Sequence, residues 1–161
     1  MRTALFPGSF DPLHNGHVDA ITIASRMFDR VVVASIRNPG KSDGLFTLPE
    51  RMEMLEETFG SLGNVEVVGM KKLTVDVAKE VGADVIVKGL RVASDFEYEL
   101  QQAQMNKAIS GIETLFIPCG STSSFIASSL VRQIAAFGGI DRVGSMVPPA
   151  VHTRLKEKFP A

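Results

Sequence analysis

The chain has no tryptophan, one tyrosine and one cysteine among its 161 residues. With Cys119 alone, an internal disulfide is excluded and no second thiolate is at hand for a zinc site. An excess of either charge is also missing: 17 basic and 18 acidic side chains leave a formal charge of −1. Such a chain has no general attraction for nucleic acid, so an anionic ligand must be met by a local basic pocket. No apolar run reaches the ~18 residues of a membrane span, and no long apolar stretch follows Arg2 as in a secretory leader. The expectation is a cytoplasmic protein that binds neither nucleic acid nor membrane. What is present, 45% hydrophobic and 22% charged residues, is the composition of a globular domain, expected as one unit over 1–161.

Short β-branched runs alternate with longer helical patterns. Thr3–Phe6, Arg30–Ile36, Val65–Val68, Asp84–Lys88 and Glu113–Ile117 read as strands. Val31-Val32-Val33 and Val85-Ile86-Val87 are continuously apolar, as in parallel strands covered on both faces. Helices are predicted over Gly16–Met27, Leu48–Phe59, Val75–Val81, Ser94–Ser110, Ser124–Phe137 and Pro149–Phe159. Such alternation implies an α/β fold: a Rossmann-like, doubly wound, five-stranded parallel sheet with helices on both faces. Thr47 with Glu50, and Ser94 with Glu97, have capping-box spacing, and Thr74 stands where an N-cap would. Ligands of such sheets bind at the carboxyl ends of the strands, so chemistry is sought just after each strand.

The segment Phe6-Pro7-Gly8-Ser9-Phe10-Asp11-Pro12-Leu13-His14-Asn15-Gly16-His17 leaves the first strand and enters the first helix. Free N–H groups and the helix dipole favour a phosphate there, with Gly8 allowing close approach and Ser9 offering a hydroxyl. His14 and His17, three apart, share one face of the first turn, and Gly16 between them adds no bulk. Their imidazoles suit donation to a phosphate in a transition state. Two other readings stand beside this one: capping of the turn, and a metal site, for which no nearby Cys or carboxylate completes a ligand set. Lys41, Lys88 and Arg91 follow strands and could offset phosphate charge. Arg132 could approach a phosphate or cover its own helix.

Together with His14-Asn15-Gly16-His17, the series Asn38-Pro39-Gly40-Lys41, Phe46-Thr47-Leu48-Pro49-Glu50-Arg51, Gly63-Asn64-Val65-Glu66-Val67, Lys88-Gly89-Leu90-Arg91 and Asp95-Phe96-Glu97-Tyr98-Glu99 runs almost the whole length. In this order it resembles the bacterial phosphopantetheine adenylyltransferases of the HxGH nucleotidyltransferase superfamily. The resemblance implies reversible transfer of an adenylyl group from ATP to 4′-phosphopantetheine, giving dephospho-coenzyme A and pyrophosphate. It implies that Ser9 and Phe10 form a shared phosphate site and that His17 stabilises the transition state. Lys41, Thr74 and Lys88 fall where the family contacts the pantetheine substrate. Gly89, Leu90, Arg91 and Glu99 fall where it contacts ATP, as do Ser123, Ser124, Phe125, Ile126, Ala127, Ser128 and Ser129. Lys41 and Arg91 count among the catalytic cations. Ala127 departs from a frequent serine. Further implications are Mg²⁺ on the triphosphate, coenzyme A as a feedback ligand, and a homohexamer built as a dimer of trimers. Rival readings are an HxGH transferase with another acceptor or with CTP as donor, and a non-catalytic adenine-nucleotide sensor.

Overall fold

The computed structural model describes residues 1–37 and 44–160. Five strands, β1 (Thr3–Gly8), β2 (Arg30–Ile36), β3 (Val65–Met70), β4 (Val85–Leu90) and β5 (Glu113–Pro118), form one parallel sheet in the order β3-β2-β1-β4-β5. The helices are α1 (Asn15–Met27), α2 (Leu48–Phe59), α3 (Thr74–Val81), α4 (Ala93–Ser110), α5 (Ser128–Ala136) and α6 (Pro149–Lys158). Because strand side chains alternate, β1, β2 and β4 feed two cores. Ala4, Phe6, Val31, Val33, Val85 and Val87 face a larger cluster with residues of α1, α2, α5 and α6. Leu5, Val32, Ala34 and Ile86 face a smaller one with Val77 and Ala78 of α3. Helices on both faces explain the continuous valine runs: each central strand is buried from both sides.

Strand β2 has its predicted bounds, while the other four run one or two residues beyond their predicted ends, and β1 shows why. It pairs with β2 through Pro7↔Ala34 and Gly8↔Ser35, but with β4 only through Ala4↔Val85 and Leu5↔Ile86. Past Leu5 one side of β1 carries no ladder, so Pro7 without an N–H is tolerated inside the strand. Here the chain also reverses its direction of sheet growth, since β2 and β3 lie to one side of β1 and β4 and β5 to the other. The parting strands open a crevice at that switch point.

Four predicted helix starts differ from the structure, that of α1 only in beginning at Asn15 rather than Gly16. The capping box of α2 forms, with the Glu50 N–H donating to Thr47 Oγ1 at 3.4 Å and the Thr47 N–H to Glu50 Oε2 at 2.7 Å. The Ser94–Glu97 box does not: α4 is already helical at Ala93, and its N-cap Val92 makes no side-chain cap. Likewise Thr74 is the first helical residue of α3, not its cap, which is Leu73. Thr74 lies one position and Ser94 two positions past the observed cap, which puts each hydroxyl inside the first turn. Helix α5 starts at Ser128 rather than Ser124, because side-chain bonds hold 121–127 in turns and extended backbone. Thr47→Ala should therefore lower the unfolding free energy by about 1 kcal/mol. Ser94→Ala should leave it within about 0.5 kcal/mol. Urea denaturation of the two variants beside the parent checks both.

Candidate active site

Where β1 and β4 part, a cleft of about 620 Å³ opens, lined by residues of β1, the turn into α1, β4, α4 and the start of α5. Of the residues singled out in the sequence, it brings together Ser9, His17, Lys88, Gly89, Arg91, Glu99, Ala127, Ser128 and Ser129. Others lie elsewhere. Phe10 is buried and Leu90 is absent from the lining; the Leu90 carbonyl accepts from the Cys119 N–H at 2.7 Å. Ser123 is buried, its hydroxyl donating to Asp19 on α1. Ser124 is outside the lining, Phe125 is exposed, and Ile126 turns its side chain into the core. Thr74 belongs to a neighbouring pocket of about 720 Å³ with Leu73, Met105 and Asn106. A small void lined by Pro7, Thr74, Lys88, Glu99 and Asn106 lies between the two. Lys41 lies outside the described residues.

The turn from β1 into α1 carries the densest geometry. Phe10 adopts a left-handed φ of 49° and packs its ring back over Gly8, where a Cβ would meet Phe10 Cζ at 2.9 Å. The room beside Gly8 is thus already taken by protein. Phe10 also meets His17 edge-on, with ring centroids 5.0 Å apart. His14 is the N-cap of α1: its Nδ1 accepts from the Gly16 N–H at 3.1 Å, and its own N–H donates to His17 Nδ1 at 3.2 Å. The two imidazoles stack at 3.7 Å. Gly16 is demanded by this stack, since a Cβ there would lie 2.9 Å from His14 Cε1 and 3.3 Å from the Ser123 carbonyl.

Capping fixes the proton as well as the ring. His17 Nδ1 accepts from a backbone N–H, so the neutral ring carries its hydrogen on Nε2, the nitrogen left free for the cleft. Burial keeps both rings neutral. It pushes His14 down to about 4, with Arg91 adding to the effect. It holds His17 well below its ordinary value, helped by His14, Arg91 and Lys88. The capping and donor readings of the pair are therefore not rivals; they use different nitrogens.

The cations are held in place by acids from one face of α4. Lys88 Nζ lies 3.3 Å from Glu99 Oε2. Arg91 makes two bonds to Asp95, 3.0 Å from Nε and 3.2 Å from Nη2, and its Nη1 donates to the Ile126 carbonyl at 2.7 Å. Ile126 thus acts through its backbone, and Ser128 Oγ likewise donates to the Pro12 carbonyl at 2.8 Å. Arg132, which the sequence left between two roles, donates to the Asp11 carbonyl. Sequence reading passed over Asp95, Tyr98, Ser94 and Cys119 as lining residues. Arg91, Asp95, Tyr98 and Glu99 have helical spacing, and that signal would have found Asp95 and Tyr98.

A family model described as cytidylyltransferase-like matches residues 5–134. A phosphopantetheine adenylyltransferase of Streptomyces coelicolor is 49% identical over 159 residues, covering 99% of this chain and 98% of that one. A second, from a Nocardioides species, is 46% identical over 161 residues, covering 100% of this chain and 99% of its own. Among solved structures, the bifunctional NMN adenylyltransferase/ADP ribose pyrophosphatase of Francisella tularensis superposes with a TM-score of 0.72 at 15% identity. It covers 99% of this chain and 50% of that one, and establishes the shared fold.

Neutral buried histidines set a pH dependence of stability with a definite sign. Between the ordinary histidine value of 6.5 and about 4, the unfolded chain binds a proton at His14 that the folded chain does not. Stability is full above ~6.5 and is lost as pH falls through that window, by about 3 kcal/mol for His14. His14→Asn keeps a capping acceptor but does not titrate, and should flatten the slope. Urea midpoints of both proteins at pH 7 and pH 4.5 provide the check.

Proposed function

The chain belongs to the cytidylyltransferase-like family, among its phosphopantetheine adenylyltransferases, and we propose that the cleft between β1 and β4 is where it transfers the adenylyl group of ATP to 4′-phosphopantetheine. The products are dephospho-coenzyme A and pyrophosphate, and the reaction is a step of coenzyme A synthesis. The observation that carries the site is the locked tautomer of His17 beside Lys88 and Arg91. A neutral Nε2–H donor and two cations suit charge that shifts among phosphate oxygens, and no general base is needed for an acceptor that is already an anion.

In this mechanism an oxygen of the 4′-phosphate attacks the α-phosphorus in line, the bridging α–β bond breaks, and pyrophosphate carries away the electron pair. No covalent enzyme intermediate forms. Positioning two reactants in one cleft supplies roughly 7–11 kcal/mol. Ser9 and the backbone around Phe10 receive phosphate at the end of β1, and Lys88 and Arg91 neutralise it from β4. Glu99 and Asp95 hold those cations in place until phosphate shares them. Ser128 and Ser129, at the start of α5, lie with the helix N–H groups on the side suited to the leaving pyrophosphate. The adjoining pocket with Thr74 suits the pantetheine arm, and Lys41 belongs, by resemblance, with the acceptor phosphate.

Mg²⁺ is part of the proposal, but the chain does not build a cage for it. Among the described residues no cluster of three or more His, Cys, Asp or Glu is placed to hold an ion, and the cleft acids Asp95 and Glu99 are engaged by Arg91 and Lys88. The ion belongs on the triphosphate, held by phosphate oxygens and water.

The proposal extends to cytoplasmic location, coenzyme A as a feedback ligand, and a homohexamer. No helix of the described residues is long and apolar enough to cross a membrane. Assembly is supported by α4, which has no fully buried residue over its 18 positions yet exposes Phe96, Met105 and Ile109, and by Leu115, exposed on the edge strand β5. Light scattering at micromolar concentration should give about six times the chain mass of 17.4 kDa; a mass near that of one chain would remove the hexamer.

His17→Ala tests the chemistry. Loss of one preorganised donor should lower kcat by at least ~10²–10³-fold. KM for ATP and phosphopantetheine should change little. Because His17 also accepts from the His14 N–H, the variant should lose about 1 kcal/mol of stability as well. Pyrophosphate release with phosphopantetheine or nicotinate mononucleotide, each with ATP or CTP, measures the rate and the choice of substrates. Near-normal kcat in the folded variant would remove His17 from the mechanism. Turnover with CTP in place of ATP would move the chain to another branch of the family, and ATP binding without turnover would make it a sensor.

A further inference from the structure

Beneath the cleft lies a buried ion pair whose side chains form no part of the cleft lining. Asp11 and Arg51 are 6% and 5% exposed, with Arg51 Nη2 3.6 Å from Asp11 Oδ2. Placing both charges in the interior is costly unless their remaining valences are filled. Here they are filled by backbone. Asp11 Oδ2 accepts from the Leu45 N–H at 2.9 Å, and Oδ1 from the Phe46 N–H at 2.8 Å. Arg51 donates from Nε to the Phe46 carbonyl at 2.8 Å and from Nη1 to the Ser9 carbonyl at 3.1 Å. Ser35 Oγ reaches the same Ser9 carbonyl at 3.4 Å. Arg132 closes the far side, donating to the Asp11 carbonyl with its charge 3.9 Å from Asp11 Oδ2.

All of these bonds except that between Arg51 and the Phe46 carbonyl end on one short stretch of chain, residues 9–11. Ser9 and Asp11 flank Phe10, the described non-glycine residue with a left-handed φ, a conformation that a large L side chain avoids unless its neighbours fix it. Arg51 grips the carbonyl before Phe10 and the carboxylate after it. The Phe10 ring then stands edge-on against His17. An arginine fork is suited to this task, because its planar donors set direction as well as charge.

We propose that Asp11 and Arg51 are positioning residues for adenylyl transfer, clamping the left-handed turn at Phe10 so that its ring holds the imidazole of His17 in its donating orientation. The inference rests on the reading of the cleft as an adenylyltransferase site. Neither side chain meets substrate; both act through Ser9, Phe10 and the backbone at Leu45 and Phe46.

The test uses the full chain with Asp11→Asn, which keeps the shape but not the charge, and Arg51→Lys, which keeps the charge but not the fork. Val151→Ala in α6 serves as a destabilised control remote from the cleft. A reacting group misplaced by about 1 Å can cost ~10²-fold, so both positioning variants should lose ~10–100-fold in kcat. KM for both substrates should stay within about threefold and the control within about twofold of the parent kcat. The His17 ring-proton resonance should move in both variants and stay in place in the control. A parent-like kcat and an unmoved resonance in either folded variant would overturn the proposal, as would Arg51→Lys restoring full activity. If Asp11→Asn does not fold, Arg51→Lys decides by the same two measurements. Absence of pyrophosphate release by the parent would instead refute the functional reading, and the resonance would still decide whether the pair positions His17.

Discussion

Strands β1 and β4 share two paired positions, Ala4↔Val85 and Leu5↔Ile86, and then separate. The twist of a parallel sheet and the reversal of strand order make that separation unavoidable at the switch point, and the active end of the molecule is arranged around it. On one lip, Pro7 and Gly8 remain paired with β2 alone, which carries the chain up to the Ser9–His17 turn. On the other, Lys88, Gly89 and Leu90 remain paired with Phe116, Ile117 and Pro118 of β5, which carries the chain up to Arg91. The histidines and the cations thus belong to different lips. Their distance is set by the strands, while their orientation is set by caps and ion pairs.

That division explains why the polar interior is concentrated at one end. The cores on the two faces of the sheet are aliphatic and aromatic, as close packing of a small domain requires. Of the buried polar residues, Asp11 and His14 lie in the turn after β1, Ser35 near the end of β2, Arg51 at the start of α2 and Ser123 in the turn before α5. All but Thr3 of the described buried polar residues are of this set. Each is tied to backbone or to a neighbouring acid, so the polar network orients the turns while the sheet provides the burial.

The sheet was legible because its signal is local: uninterrupted β-branched runs have no other economical explanation in a chain this short. The residues at the strand exits stood out by their motifs and a family resemblance, not by periodicity. Two kinds of feature were not. Caps at Thr74 and Ser94 failed because hydroxyl-before-helix spacing is blind to a shift of one or two residues, and tertiary contacts decide that shift. The start of α5 failed because a serine-rich run has good capping chemistry at several places, and the bond from Ser123 to Asp19 selects among them from 104 positions away. The partners Asp11 and Arg51 are 40 residues apart in the chain, in two separate motifs that nothing in the sequence links to each other. Long-range electrostatic pairs leave no periodic trace.

The shortage of aromatic chromophores has an optical counterpart. Without tryptophan, Tyr98 is the one residue whose emission can be excited near 280 nm, and it stands in the cleft wall, 62% exposed, its hydroxyl accepting from Gln102 Nε2 at 3.1 Å. Light emitted by this protein on excitation near 280 nm, where its ten phenylalanines scarcely absorb, therefore originates at its pocket. A nucleobase or a phosphate that changes the polarity beside α4 alters the whole fluorescence signal of the molecule, not a small part of it. The chain carries its own occupancy gauge, free of background from the core.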